Sequence, residues 1–303
     1  MSKILIVILI LLFIFGFLIW QGIYLSKDLT GKEELFSVEK GQNVFQIAEN
    51  LEKEELIKSR FFFNFYVLAA GKTRELRAGE YFLGPFMTTS EIAQKIFVGD
   101  VVTITVTIPE GFTLAQIEER LGVKLPGENL EGFLFPDTYH FPFRVSGEEA
   151  VKIMRENFEK KLTQDLIYEI EKQGKTIFEI VTMASLIEKE VRTSKDKQLV
   201  SGTLWKRLEN GVPLQVDATI TYITGKKTTE VSIANTQLDS PYNTYKYAGL
   251  PAGPISNPGL ESILAAMYPK SSEYWYYLST PEGETIFSRT LQEHNTAKAR
   301  YLK

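Results

Sequence analysis

The chain has no cysteine and only two histidines, His140 and His294, in 303 residues. Without cysteine there can be no disulfide, no thiolate metal site and no thiol nucleophile. A zinc site or a Ser-His-Asp triad would have to use one of two histidines far apart in sequence, neither in a recognisable spacing. No glycine-rich phosphate loop is present, and a formal net charge of -4 argues against nucleic acid, which wants a basic face. What survives these exclusions is carboxylate chemistry without a metal or cofactor. A hydrophobic share of 44% is ample for a packed core, and the length suits one large domain or two ordinary ones.

Residues Ile4 to Leu25 are apolar except for Gln21, about the 20 residues a bilayer requires. Trp20 and Tyr24 at the far end suit an interfacial anchor. A cleavable signal peptide would have a shorter apolar stretch and a small-residue cleavage site. The expectation is a single-pass helix within residues 1–26, with a short cytoplasmic stub and the rest of the chain outside the cytoplasmic membrane.

Residues 27–126 repeat themselves. Val38 to Leu51 matches Ile108 to Leu121 position by position. In each, a short strand enters a glycine turn (Gly41, Gly111) and a capped helix follows, with Asn43 and Gln46 or Thr113 and Gln116 three apart. Thr88 and Glu91 mark a fainter third copy. Strand, glycine turn and helix together resemble a LysM-like module, and a small α+β spacer fits the same pattern. Residues 127–303 are expected to form a mixed α+β domain whose helices precede a small sheet. A helix should run from Ser146 to about Gln173, another from Ile177 to Val191, and a third from about Lys195 to Asn210 before Gly211. A hairpin around Pro281–Gly283 and a closing helix from Leu291 follow.

The helix from Ile177 holds the first candidate for chemistry. Ile177, Ile180, Val181, Ala184, Ile187 and Val191 recur at helical spacing, and Glu188 falls within their arc while Glu179 and Glu190 point the other way. A carboxylic acid on an apolar stripe is either an acid with a raised pKa or the partner of a buried Arg or Lys. The wheel alone does not choose. Further on, Gln215, Asp217, Asn243 and Tyr245 lie in Asn- and Tyr-rich segments whose donors, acceptors and flat rings suit sugars.

Several blocks resemble the YceG-like endolytic murein transglycosylases. They are Glu131 to Tyr139, Ala184-Ser-Leu-Ile-Glu-Lys-Glu190, Gln215-Val-Asp-Ala-Thr219, Pro241-Tyr-Asn-Thr-Tyr245, Gly249 to Pro254 and Glu293-His-Asn295. Thr285 stands where the family often carries histidine. The resemblance implies cleavage within nascent peptidoglycan strands, leaving a 1,6-anhydro-N-acetylmuramoyl end. It puts the catalytic role on Glu188, the first Glu of the Glu-Lys-Glu block. The substrate's own C6 hydroxyl is then the nucleophile, so one carboxylate suffices as general acid and base. Gln215, Asp217, Asn243 and Tyr245 become candidates for holding the sugars. The implied partners are glycan strands, the membrane and the peptidoglycan synthases. Two rivals stay open: a muramidase using Glu188 with Asp217, and a tethered glycan-binding scaffold without catalysis.

Overall fold

The computed structural model describes residues 3–226 and 232–302. It is a mixed α/β protein in two compact units. One comprises the chain up to Thr105 with His140–Val145, the other Val106–Tyr139 with everything from Ser146 onward. The boundary expected near residue 126 therefore falls inside the second unit, which takes in the second copy of the repeat.

The first unit opens with α1 (Lys3–Tyr24), 22 residues long and long and apolar enough to cross a membrane. At 1.5 Å per residue it spans about 33 Å. Of its described residues Gly22 and Ile23 alone are buried, where the helix meets the folded part of the unit. Thr89 donates its hydroxyl to the Gly22 carbonyl at 3.0 Å. There follow β1 (Glu34–Val38), α2 (Val44–Lys53), α3 (Arg60–Ala69), β2 (Gly79–Leu83) and α4 (Thr89–Val98). β1 and β2 pair antiparallel, Phe36 opposite Tyr81, and α2, α3 and α4 pack on them. Phe36, Ile47, Leu51, Phe63, Tyr81, Ile92 and Ile96 are fully buried. The helix starts are chemically determined: capping boxes form at Asn43 with Gln46 and at Thr88 with Glu91, each supplying partners for amides a helix end leaves unpaired.

The chain continues through β3 (Thr103–Thr107), which pairs with β4 (Thr138–Pro142). Between them α5 (Leu114–Leu121) carries the third capping box, Thr113 with Gln116. The expected helix from Ser146 to Gln173 is two: α6 (Gly147–Lys161) and α7 (Gln164–Lys172). Leu162 and Thr163 leave helical geometry between them. The break lets Phe158, Leu162 and Ile170 enter one core, which a straight rod could not do.

That core surrounds α8 (Ile177–Glu190), and α9 (Ser194–Glu209), α10 (Asp217–Thr224) and α11 (Leu260–Met267) pack on it. Every residue of α8 from Ile180 to Ile187 is buried. Where the sequence pattern indicated one apolar stripe, neighbours cover the helix all round, and of its buried hydroxyls Ser185 is bonded while that of Thr182 has no partner among the described residues. Ser185 donates to the Thr182 carbonyl and accepts from the Ile255 amide at 3.0 Å. The hairpin is present as β5 (Tyr276–Ser279) and β6 (Thr285–Ser288), antiparallel, closed by α12 (Leu291–Tyr301).

Candidate active site

α8 ends by projecting two carboxylates from its last turn. Glu188 accepts from Lys197 Nζ at 3.2 and 3.4 Å, from the Gly259 amide at 3.0 Å and from the Ser262 hydroxyl at 2.6 Å. The side chains of the pair are 9% and 3% exposed, so this is a buried ion pair. Gly259 is the N-cap of α11, and an anion there also faces the positive end of the helix dipole. Glu110 stands beside it, its carboxyl raised by burial and by the charge of Glu188. The alternative of a buried cationic partner, open from the helical wheel, describes Glu188: its lone pairs are already engaged by protein donors.

Glu190 has different company. It is half-buried and lines a cavity of about 430 Å³ with Arg207, Gln215, Asp217, Tyr245, Tyr277 and His294 among its walls. Glu188 is not part of that lining; the two acids share only a smaller cavity of about 260 Å³. Burial pushes the Glu190 carboxyl up to about 7, and the nearby charge of Asp217 adds to the effect. Hydrogen bonds from the Tyr277 hydroxyl and the Ala218 amide partly offset it. Near neutral pH such a carboxyl exists in both forms, the requirement for an acid that must also act as a base. The wheel set Glu190 toward water, and the structure corrects this. Its surroundings come from α10 and β5, which helical periodicity cannot register.

Asp217 is the first residue of α10 and accepts the Tyr245 hydroxyl. Burial, and then this bond, raise the Tyr245 pKa; burial and Glu190 do the same for Tyr277. Both phenols are therefore fixed as donors. Gln215 is exposed at the rim, with a left-handed φ of 55° that is costly for a residue other than glycine. Its amide donates to the Thr244 carbonyl at 3.0 Å, which ties the two loops together.

Asn243 is placed otherwise than expected. It is 1% exposed and does not line the cavity. Its Nδ2 donates to the Thr236 and Leu238 carbonyls at 3.1 and 2.7 Å, and its Oδ1 accepts from the Tyr245 amide at 3.0 Å. It braces the loop that carries Tyr245.

Two further wall residues, Arg207 and His294, were not among the candidates read from the sequence. Arg207 donates to the Trp275 and Leu214 carbonyls at 2.8 and 2.7 Å and stacks on Tyr276, pinning the hairpin and the loop leading to α10. His294 lies against the Tyr276 ring, and burial, then Lys298 and Arg207, push it down to about 4. Its imidazole is neutral at pH 7. His294 belongs to the Glu-His-Asn block, which is the one signal that could have drawn attention to it. Among the described residues no group of three or more His, Asp and Glu is arranged to hold a metal.

Comparison with known proteins places the chain in a family. A model of the YceG-like family matches residues 36–300. An endolytic murein transglycosylase of Bacillus subtilis (strain 168) is 33% identical over 306 residues, covering 88% of this chain and 84% of that protein. One from Streptococcus pneumoniae (strain R6) is 29% identical over 321 residues, and the match spans 88% of this chain but only 58% of that longer protein. The 2.6 Å crystal structure of a YceG-like protein from Listeria monocytogenes superposes with a TM-score of 0.59 at 32% identity, covering 89% of this chain and all of that one. A match over nearly the whole folded part of the chain leaves one conclusion: this protein belongs to the YceG-like family.

Proposed function

We propose that this chain is an endolytic lytic transglycosylase that cleaves the β-1,4 bond after N-acetylmuramic acid within peptidoglycan strands, with Glu190 as general acid and base. The observation that carries the reading is the Glu190 carboxyl, held near pH 7 in a cavity of about 430 Å³ beside Asp217. Protonated Glu190 gives its proton to the glycosidic oxygen as the C1–O bond breaks. The muramic C6 hydroxyl then bonds to C1, and its proton returns to Glu190. A 1,6-anhydro ring closes and no water is consumed. Asp217, held by Tyr245, supplies negative charge to the developing oxocarbenium centre. Gln215 and Tyr245 offer polar contacts to the sugars. Glu190 replaces Glu188 in the acid role because the latter is occupied by Lys197, Ser262 and the Gly259 amide.

A second reading has one observation in its favour, the second carboxylate in the same cavity. Asp217 could activate water, giving a two-carboxylate muramidase. Mass spectrometry of products from purified glycan strands decides between them. Anhydro ends, lighter by one water than reducing ends, support the lyase, and reducing ends alone would overturn it. Intact strands throughout would leave a glycan-binding scaffold, for which the order β1–α2–α3–β2 and its LysM-like repeat are the support.

The proposed setting is the cytoplasmic membrane, with α1 as anchor and the catalytic part outside the cytoplasm, where nascent strands and their synthases are found. Cysteine accessibility of single substitutions at Lys3 and Lys27 in whole cells tests the orientation: only the second should react with an impermeant reagent.

A further inference from the structure

Helix α3 is apolar on two faces, and the protein buries one of them. Phe63 and Val67 lie in the core of the first unit. On another side Phe61, Phe65 and Leu68 fall within an arc of about 60° at 100° per residue, and they are 52%, 41% and 52% exposed. The Phe61 and Phe65 rings stack on each other with centroids 6.3 Å apart. Past Arg60 the helix carries no charged residue. A helix that is apolar all round belongs in a protein core or in lipid.

Contacts with α1 place this face. Gly22 lies about 30 Å along α1 from Lys3, the thickness of a bilayer's hydrocarbon layer. Phe62 closes on Gly22 so tightly that a methyl there would run into its ring. Lys58 Nζ, just before α3, donates to the Gln21 carbonyl at 3.5 Å, and Thr89 holds the carbonyl of Gly22. Ile19 is half-buried, whereas every described residue before it in α1 is exposed. The folded part of the unit therefore grips the end of the apolar helix itself instead of hanging from it on a linker. Phe61, whose ring is 5.5 Å from that of Phe62, is brought to the level of Trp20 and Tyr24, both exposed. The flanking cations are already engaged: Arg60 pairs with Glu52 at 3.5 Å, and Lys58 rests on Gln21.

We propose that the Phe61, Phe65 and Leu68 face of α3 is a second membrane contact, seated at the boundary of headgroups and acyl chains beside the point where α1 emerges. The occupant is lipid, held by burial of apolar surface and not by headgroup charge. A face tethered this close to the bilayer meets lipid at an effective concentration no soluble partner reaches. The contact rests on α1 being the membrane anchor, as proposed above, and pins the first unit against the surface.

The test exploits the absence of native cysteine. Single cysteines carrying an environment-sensitive fluorophore are placed by Phe61→Cys, Phe65→Cys and Leu68→Cys, by Phe13→Cys within α1, and by Glu49→Cys, exposed on α2. Each full-length chain is reconstituted at one copy per phosphatidylcholine nanodisc, with and without lipids bearing a nitroxide along the acyl chain. The labels at 61, 65, 68 and 13 should be quenched at least twofold and the label at 49 hardly at all. Phe61→Ser with Phe65→Ser should remove at least half of the quenching at 68 and leave the unfolding temperature unchanged, since both rings are exposed. Anionic lipid or 0.5 M salt should alter the quenching less than twofold.

Quenching at 13 with none at 61, 65 and 68 overturns the contact and leaves the anchor standing. No quenching at 13 either defeats the anchor. Labels at 61, 65 and 68 that are shielded from water yet unquenched would mean that protein covers the face, and quenching lost when two copies share a disc would assign it to self-association; each overturns the proposal. Quenching abolished by salt overturns its apolar basis.

Discussion

Glu188 and Glu190 leave the same helical turn and meet opposite surroundings. On one side, Lys197, Ser262 and the N-terminus of α11 converge on a carboxylate and complete its hydrogen bonding. On the other, Glu190 faces a cavity with a second acid, Asp217, near it and a tyrosine hydroxyl as its side-chain donor. The first arrangement satisfies a charge and holds α8, α9 and α11 together. The second leaves a charge under-satisfied, and that is what makes a proton transferable near neutral pH. Two residues of identical chemistry thus divide into a structural ion pair and a candidate acid, and the difference lies wholly in what packs against them.

The comparison can be broken most sharply at Glu190. Glu190→Gln keeps the shape and removes the proton donor, so the rate of anhydro-end formation should fall roughly 10²–10⁴-fold, with the unfolding temperature unchanged or slightly raised. A variant that still forms anhydro ends at near the original rate would exclude Glu190 as the acid.

Glu188→Gln should do the reverse. It leaves Lys197 buried without its counter-charge, which costs about 3–5 kcal/mol, while the rate per folded molecule should stay within about tenfold of the original. Denaturant unfolding measures the first and active-fraction-corrected kinetics the second. Adding Lys197→Met should recover part of the stability, because the stranded charge is then removed as well. A rate collapse with intact stability would transfer the acid role back to Glu188.

A smaller effect should appear in the pH profile. With Glu190 raised to about 7, kcat/KM should decline above about pH 7 as the acid form is lost. The same shift has a stability consequence with a definite sign. The folded state holds this proton more tightly than the unfolded chain, whose carboxyl titrates near 4.5. Stability is therefore greater below pH 4.5 than above 7 as far as this group is concerned, and falls across that window. Glu131, raised to about 7 by burial, contributes a slope of the same sign. Glu190→Gln should flatten the stability profile between about pH 4.5 and 7 only in part; an unchanged slope would mean that Glu190 is not desolvated.

The smallest expected change is at Asn243. Asn243→Ala should cost about 1–3 kcal/mol through the hydrogen bonds it removes from the 236–245 loop. It should lower the rate only as far as Tyr245 is displaced, and Tyr245→Phe provides the reference for that loss. A rise in KM without loss of stability would instead put Asn243 in contact with substrate.

Local chemistry was legible residue by residue. Asn43 with Gln46, Thr88 with Glu91 and Thr113 with Gln116 each start a helix where their spacing indicates, because a capping box needs only residues three apart. The apolar run of α1, the end of α9 before Gly211 and the 281–283 hairpin turn are local in the same sense. The split between α6 and α7 was not legible, since Leu162 leaves the helix to reach a core built from distant segments. Helix α10 was missed too; its Asp217 and Thr219 favour turns as readily as helices, and contacts with α8 decide the matter.

The candidate site divides along the same line. Sequence alone excluded thiols, pointed to carboxylate chemistry with Glu188 in the last turn of α8 as the candidate acid, and offered Asp217, Gln215 and Tyr245 as candidates for holding the sugars. Only the tertiary structure decided which acid of that turn faces the cavity. The acidity of a carboxyl depends on the solvent it loses and the charges it meets, and for Glu190 those are contributed by α10 and β5, 27 residues and more farther along the chain.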